Sequence, residues 1–522
     1  MWRGWFASVL LLMPRPAAAT PNPSVQPAGT LPVQPVRGPA LEISGNPAAV
    51  DLPAVPSFAI PVAEGGIHTP RELLVSGERL RGSQVQVGGY ITWIYDCAAA
   101  FVQPGMAHEQ VERLIESDPT RCERHKFYLG DARSTPPDRS LWVVDVPRRP
   151  FKIEQERMPT DKLVNWPDVP SLTLGAYVVV TGTLALRSPH DEVNSDGLLV
   201  YESIDTTRRG PPPASTTPSP ETVLPAVPTR TAPPASPIPA SAGDSIRHAN
   251  AAARAYASKQ YDTAIAEYQA AVAAWSGNHD AWYGLAGARS QRGNYQAAAE
   301  AAERAVALVP DQAMYWLLYG RLLYEAALDD AKNRAARAQG CPADQAVVDR
   351  ATIDATPALE ALLAAASLEN RLWRAHYYIG RILRDRGDAR GAATRFTEAI
   401  AQHAWDPNPY IALCELYRRW WYRDEALAIA TVGAAAIPAS AEIWYELGRT
   451  RDDRGQGRAI EAYTRALELK PRLDQARFQR GQAYFRRKDF AHARRDLEAF
   501  VHAGGTGFAT DQARRMLADI PR

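Results

Sequence analysis

The sequence predicts a multi-domain chain in which a small all-β barrel precedes a solenoid of about seven α-helical hairpins, the two joined by proline-rich linkers. Three observations carry this prediction. A pattern of small and aromatic residues returns about every 34 residues through the C-terminal half. Between residues 83 and 204 the hydrophobic pattern switches to a period of two. The 42 prolines cluster, with eleven of them in 206–241 and another run in 20–63, and such composition favours extended spacers over a packed core.

The chain begins MWRGWFASVLLLMPRPAAAT, with a positive Arg3, an apolar run from Trp5 to Met13 and the small residues Ala17, Ala18 and Ala19. That order is expected of an export signal cleaved near Ala19, which places the protein in a periplasmic or secreted compartment. The run is too short to cross a bilayer, and no later stretch of eighteen apolar residues predicts a membrane span. With 59 basic and 58 acidic residues the net charge is +1, which points away from a polyanionic partner.

Residues 64–205 form the predicted β domain. SQVQVGGYITWIYD (83–96) reads as a long strand with a bend or bulge at Gly88-Gly89. HKFYLGD (125–131) and RSLWVVDVP (139–147) read as a pair, as do GAYVVVTGTLALRSP (175–189) and DGLLVYESI (196–204). HEQVERLIES (108–117) is an amphipathic helix with Val111, Leu114 and Ile115 on one side. Five strands in this order, the first bent at glycines, resemble an OB-fold barrel. The resemblance admits a ligand, and OB domains often stack nucleic acid on aromatics. Residues 64–205 carry 15 Lys/Arg against 21 Asp/Glu, however, a net of −6, which is the wrong sign for phosphate. Trp93, Phe127, Tyr128 and Trp142 are therefore expected to fill the barrel core, with a protein or glycan face as the alternative.

Residues 245–505 carry the repeat. WYGLAGARSQRGNYQAAAEAAERAVALVP (282–310) reads as two helices broken at Gly293-Asn294, with Ala298, Ala302 and Ala305 as packing slots. WYELGRTRDDRGQGRAIEAYTRALELKP (444–471) repeats the order. Ile379, Gly380, Ala392 and Phe396 recur in a further unit, Gly481, Tyr484, Ala493 and Leu497 in another, and Cys414 takes the small slot of a third. These units resemble the tetratricopeptide repeat family. An insertion at about 328–355, containing Cys341, interrupts the third unit and leaves its stacking open. Residues 506–522 are expected to form a capping helix, and 206–244 a proline-rich linker that leaves the two folded parts free of one another.

Cys97 and Cys122 flank the short helix, and in an exported chain that placement predicts a disulfide. A zinc site from Cys97, His108, Cys122 and His125 is the weaker alternative, because its spacing matches no familiar motif. Cys414 is expected to be buried and Cys341 free. No nucleophile elbow, phosphate loop, HExxH or paired-carboxylate motif is present. His190, Asp191, Glu192 and Asp196 could hold a cation but read more simply as a solvated strand connection.

What the repeat resemblance implies is a non-catalytic adaptor, without a cofactor or metal, that binds protein or peptide partners along a concave wall, with the OB-like domain as a second binding module. The alternative is an accessory protein whose OB-like domain binds a glycan or another small polar ligand. Counting from the packing slots, the wall should present Leu317, Arg321 and Tyr324, then Tyr377, Arg381 and Arg384, then Ile411, Glu415 and Arg418. Tyr445, Arg449 and Asp452, and Phe478, Gln482 and Phe485, continue the line. Aromatics and arginines in that alternation suit an extended segment with acidic and apolar side chains.

Overall fold

The computed structural model describes residues 50–58, 60–98, 108–117, 122, 124–159, 163–190, 192–208, 210, 214–217, 221–233, 237–343, 346, 348–453, 458–503 and 508–521. The predicted export signal, 1–19, and the proline-rich stretch up to residue 49 lie outside the described residues.

Strands β1 (Ile60–Ala63) and β2 (Ile67–His68) and helix α1 (Pro70–Ser76) precede the barrel. Thr69 caps α1 in a reciprocal box with Glu72. The barrel is built from β3 (Gln84–Ile94), β4 (Phe127–Gly130), β5 (Leu141–Val144), β6 (Tyr177–Arg187) and β7 (Val193–Asp205). Its strands follow one another in the order β3-β4-β5-β7-β6, and β6 pairs back onto β3, so the sheet is closed. β5 and β7 run parallel and the other neighbours antiparallel. β8 (Ala214–Thr217) pairs with β1 outside the barrel.

Closure depends on β3 serving two partners. Residues 84–90 pair with β6 and 90–94 with β4. The predicted glycine bulge is displaced: Gly88 and Gly89 pair in register with Val179 and Val178, and the irregularity falls between Ile91 and Trp93. The glycines answer a different need, close approach. A methyl on Gly89 would come within 2.9 Å of Pro70 and 3.2 Å of the Gly130 carbonyl.

Alternation sends Val85, Val87, Ile91, Phe127, Leu129, Leu141 and Val143 into the barrel core. Of the four aromatics expected there, only Phe127 arrives. Trp93, Tyr128 and Trp142 stack across the outside of three adjacent strands, with ring centroids 4.5 and 5.3 Å apart. The reason is register: Tyr128 and Trp142 are offset by one residue from the inward set, and Trp93, which shares the parity of Ile91, is turned outward by the irregularity between the two.

Helix α2 (His108–Ser117) packs Val111 and Ile115 against Cys97, Cys122 and Phe151, while Leu114 stays exposed. Cys97 and Cys122 are bonded to each other, so neither thiolate is available to zinc. His190 pairs with Asp145 at 2.8 Å and Glu192 with Lys126 at 2.8 Å, which gives both acidic-cluster residues a structural role. Helix α3 (Lys152–Arg157) leads towards β6.

The array follows, and among the described residues it comprises seven hairpins. They are α4 (Ala242–Ala257) with α5 (Tyr261–Ala274), α6 (His279–Gln291) with α7 (Tyr295–Leu308), α8 (Ala313–Gln339) with α9 (Thr356–Leu368), and α10 (Trp373–Asp385) with α11 (Ala389–Gln402). Then come α12 (Pro407–Arg419) with α13 (Arg423–Ala436), α14 (Ala441–Asp453) with α15 (Ala459–Leu469), and α16 (Asp474–Arg486) with α17 (Phe490–His502). Helix α18 (Phe508–Asp519) closes the end, packing Ala513 and Met516 on Phe478 and Leu497. Second helices start on side-chain caps at Asn294, Asp388 and Asp489.

Small residues let the helices of a hairpin touch. A methyl on Gly380 would meet the Phe396 ring at 2.7 Å, and one on Gly320 would meet Leu362 at 2.8 Å. Cys414, 1% exposed, fills the same slot in the fifth hairpin, its thiol towards the Ala426 carbonyl. Ala298, Ala302 and Ala305 are all fully buried. The insertion does not interrupt stacking. Helix α8 simply runs on to 27 residues before α9 packs back against it, and α8 and α9 contact both neighbouring hairpins.

Candidate functional site

First helices of successive hairpins touch one another directly, α8 with α10, α10 with α12, α12 with α14 and α14 with α16. Their free faces therefore make one continuous wall. Residues four and three apart on a helix share that face, and this spacing brings most of the sequence-predicted set together.

In hairpins three and four the Arg381 guanidinium lies 5.1 Å from the Tyr324 ring centre, 5.4 Å from Tyr378 and 6.0 Å from Tyr377. It also pairs with Glu325 at 3.3 Å. Arg384 donates twice to Asp385, which also accepts from the Tyr324 hydroxyl and faces Arg350 at 3.6 Å. Arg321 reaches Ser290 of the second hairpin at 3.3 Å. In hairpins five and six Arg449 covers Tyr445 at 5.5 Å and pairs with Glu446 at 3.0 Å, and Arg418 approaches Glu446 at 4.0 Å. Arg486 pairs with Asp452 one hairpin back.

The electrostatics follow from this crowding. Burial by itself would lower the pKa of Arg381, but Tyr324, Tyr377 and Glu325 outweigh it and hold the group above its ordinary value. Burial likewise works to raise Asp385, yet Arg384, Arg350 and the Tyr324 hydroxyl prevail and its carboxyl is lowered. Burial pushes the Tyr377 phenol up to about 12. Glu415 behaves in the opposite way from Asp385. Its side chain is open to solvent between the arginines, yet the walls displace enough water, with Glu446 beside it, to raise its carboxyl.

Several predicted wall residues are placed elsewhere. Leu317, Tyr324, Arg418 and Phe478 are 5%, 1%, 9% and 7% exposed, so they hold the wall from behind. Phe478 stacks on Phe500 at 4.8 Å, and Phe485 meets Phe490 at 5.8 Å, both turned towards the second helix of the last hairpin. Ile411 is partly buried against the array core. The arginines expected to await an acidic partner already face carboxylates of the chain itself. Those carboxylates, Glu325, Asp385 and Glu446, lie outside the row counted along the helices. Each directly follows a counted wall position, a signal available in the sequence because a helical stripe is wider than a single row.

Family models for the tetratricopeptide repeat match residues 255–322 and 457–507. No curated protein matches the chain. Among solved structures, a tetratricopeptide repeat protein from Parabacteroides merdae aligns at 11% identity and TM-score 0.38, over 53% of this chain and 98% of that one. Pseudomonas aeruginosa PilF aligns at 15% identity and TM-score 0.34, over 44% and 94%. The Cut9–Hcn1 complex aligns at 14% and TM-score 0.35; this chain covers 42% of that chain's length, through 46% of its own. The run of helical hairpins behind the closed barrel is a tetratricopeptide repeat solenoid.

Proposed function

We propose that this protein is a non-catalytic, exported adaptor that binds an extended segment of a partner protein along the wall formed by α8, α10, α12, α14 and α16. The observation that supports it best is the lattice of arginines, tyrosines and carboxylates that crosses four consecutive hairpins while Glu415 remains open to solvent. Fixed, partly desolvated aromatics and guanidinium groups suit recognition, because little side-chain freedom is lost on binding. An acidic or apolar side chain of the partner would lie over the tyrosine–arginine stacks, and a donor would meet Glu415. Export rests on the leader-like opening of the sequence and is compatible with the Cys97–Cys122 disulfide.

The test is capture of partner protein from the exported fraction by the full chain. Arg381→Glu with Arg384→Glu should weaken capture by about 2 kcal/mol or more, and Glu415→Arg, at a solvent-open position, should weaken it without disturbing the fold. Glu461→Arg, exposed on a second helix, should leave capture unchanged. Equal capture by wild type and all wall variants would remove the wall as the site. The outer stack supports a second reading, in which the barrel holds a glycan or other polar ligand against Trp93 and Trp142, the half-buried rings that cover Tyr128.

A further inference from the structure

The array departs from its own repeat in two places. One is the turn of the fifth hairpin. Where a first helix ends, the residue entering the turn takes a left-handed conformation: Gly293 and Gly387 in two hairpins, Lys259 and Lys488 in two others. In the fifth hairpin that residue is Trp421, at φ 66°. A bulky side chain is disfavoured there, and at this turn contacts from outside the repeat accompany it.

Those contacts come from the other half of the chain. The Arg71 guanidinium, on α1, lies 5.4 Å from the Trp421 ring centre and donates to the Trp420 carbonyl at 2.5 Å. Arg419 donates back to the Leu74 carbonyl at 3.1 Å. Phe58, fully buried, sits among Tyr417, Trp420 and Tyr422 with ring centres 5.1 to 5.8 Å away. Val75 of α1 is part of the array's apolar core.

The second departure is the insertion in the third hairpin. Its return path is anchored on the array by Val348, Ile353 and Ala355, and by Arg350 pairing with Asp385. Asp349 caps a short turn by accepting from Ala351, and its carboxylate pairs with Arg81 beside β3. At the tip of α8 the Gln339 carbonyl accepts from Arg187, the last residue of β6, at 3.2 Å. So the insertion faces residues beside β3 and at the end of β6, and the Trp421 turn faces α1, whose Leu73 packs into the same barrel's core.

We propose that the third-hairpin insertion and the Trp420-Trp421-Tyr422 turn are two parts of one receptor for the chain's own barrel, which is thereby mounted rigidly on the edge of the array. The connecting segment favours the chain's own barrel over a second copy's. Thr222 donates to Asp388 at 2.9 Å, and Arg230 pairs with Glu303 and covers Trp316, so described residues of the connecting segment touch the fourth, second and third hairpins of the same array. This reverses the expectation that the proline-rich segment leaves the two parts independent.

The test uses the full chain with Trp421→Gly, which relieves the left-handed residue while removing the Arg71 stack, and with Asp349→Arg. Each should raise amide exchange in 70–81 and 417–422 at least tenfold at unchanged helix content. Combined, they should speed proteolytic cleavage within 206–241 at least tenfold. Restoring the reversed pair with Arg81→Asp in the Asp349→Arg background should recover most of the protection. Unchanged exchange and cleavage in the two variants would overturn the proposal. So would a wild-type dimer whose 70–81 protection disappears on dilution to monomer, because the occupant would then be a second copy.

Discussion

The Arg381 guanidinium lies 5.1 Å from the ring centre of Tyr324, on the first helix of the preceding hairpin, and reaches Glu325 beside it at 3.3 Å. One side chain thus ties hairpin three to hairpin four through a π face and a carboxylate at once. Arg381→Ala should lower array stability by about 3 kcal/mol, because it strands a part-buried carboxylate as well as losing the stack. Denaturant titration of the double variant Arg381→Met, Glu325→Gln should recover much of that loss. If the double variant is as unstable as the sum of the singles, the pair does not act together.

The small slots make a second prediction. Gly380→Val should cost about 2–3 kcal/mol by overpacking against Phe396. Cys414→Ala, in the equivalent slot of the fifth hairpin, should cost less than about 1.5 kcal/mol, since little volume changes. Calorimetry on the two variants separates them.

Asp385 and Glu415 should have opposite signatures against pH. The Asp385 carboxyl is lowered in the folded chain, so its contribution is present above the ordinary carboxylate range and is lost as pH falls through the folded value. Asp385→Asn should therefore be destabilising at neutral pH, with the gap closing in acid. Glu415 is raised, so its favourable contribution is present in acid and lost as pH rises through its folded value. Glu415→Gln should be at least as stable as the parent at neutral pH and lose that advantage in acid. Chemical denaturation at several pH values reads both signs.

The Cys97–Cys122 bond closes a separation of 25 residues, worth about 3.5 kcal/mol by the chain-entropy model. Reduction should destabilise the barrel and release α2, leaving the unfolding of hairpins six and seven in place. Peptide mapping without reductant checks the bond, and exchange at 108–117 checks the release.

Much of this was legible in the sequence. The repeat could be read because its slots are local: Gly380 and Phe396 are sixteen positions apart and pack within one hairpin, so spacing along the chain is nearly spacing in the fold. The strands could be read from alternation, and helix α2 runs over the residues its pattern marks. The choice of face was harder. Trp93, Tyr128 and Trp142 satisfy strand propensity equally well inside or outside, and only the closing register of β3 with β4 and β6 settles which. On the wall, the helical stripe named the arginines, but their pairing was hidden, because Arg381 meets Tyr324 and Glu325 across a hairpin boundary.

The hairpin array, the strand set and the bridged cysteines could all be read from the order of residues, since each rests on contacts between near neighbours or on a period of the chain. The state of the wall and the place of the barrel rest instead on contacts between residues far apart in the chain. Arg71 and Trp420 stand 349 positions apart, and Arg187 and Gln339 152. No periodicity links such residues. Their meeting depends on how successive hairpins stack and where the barrel comes to rest, and both are set by packing summed over the whole array.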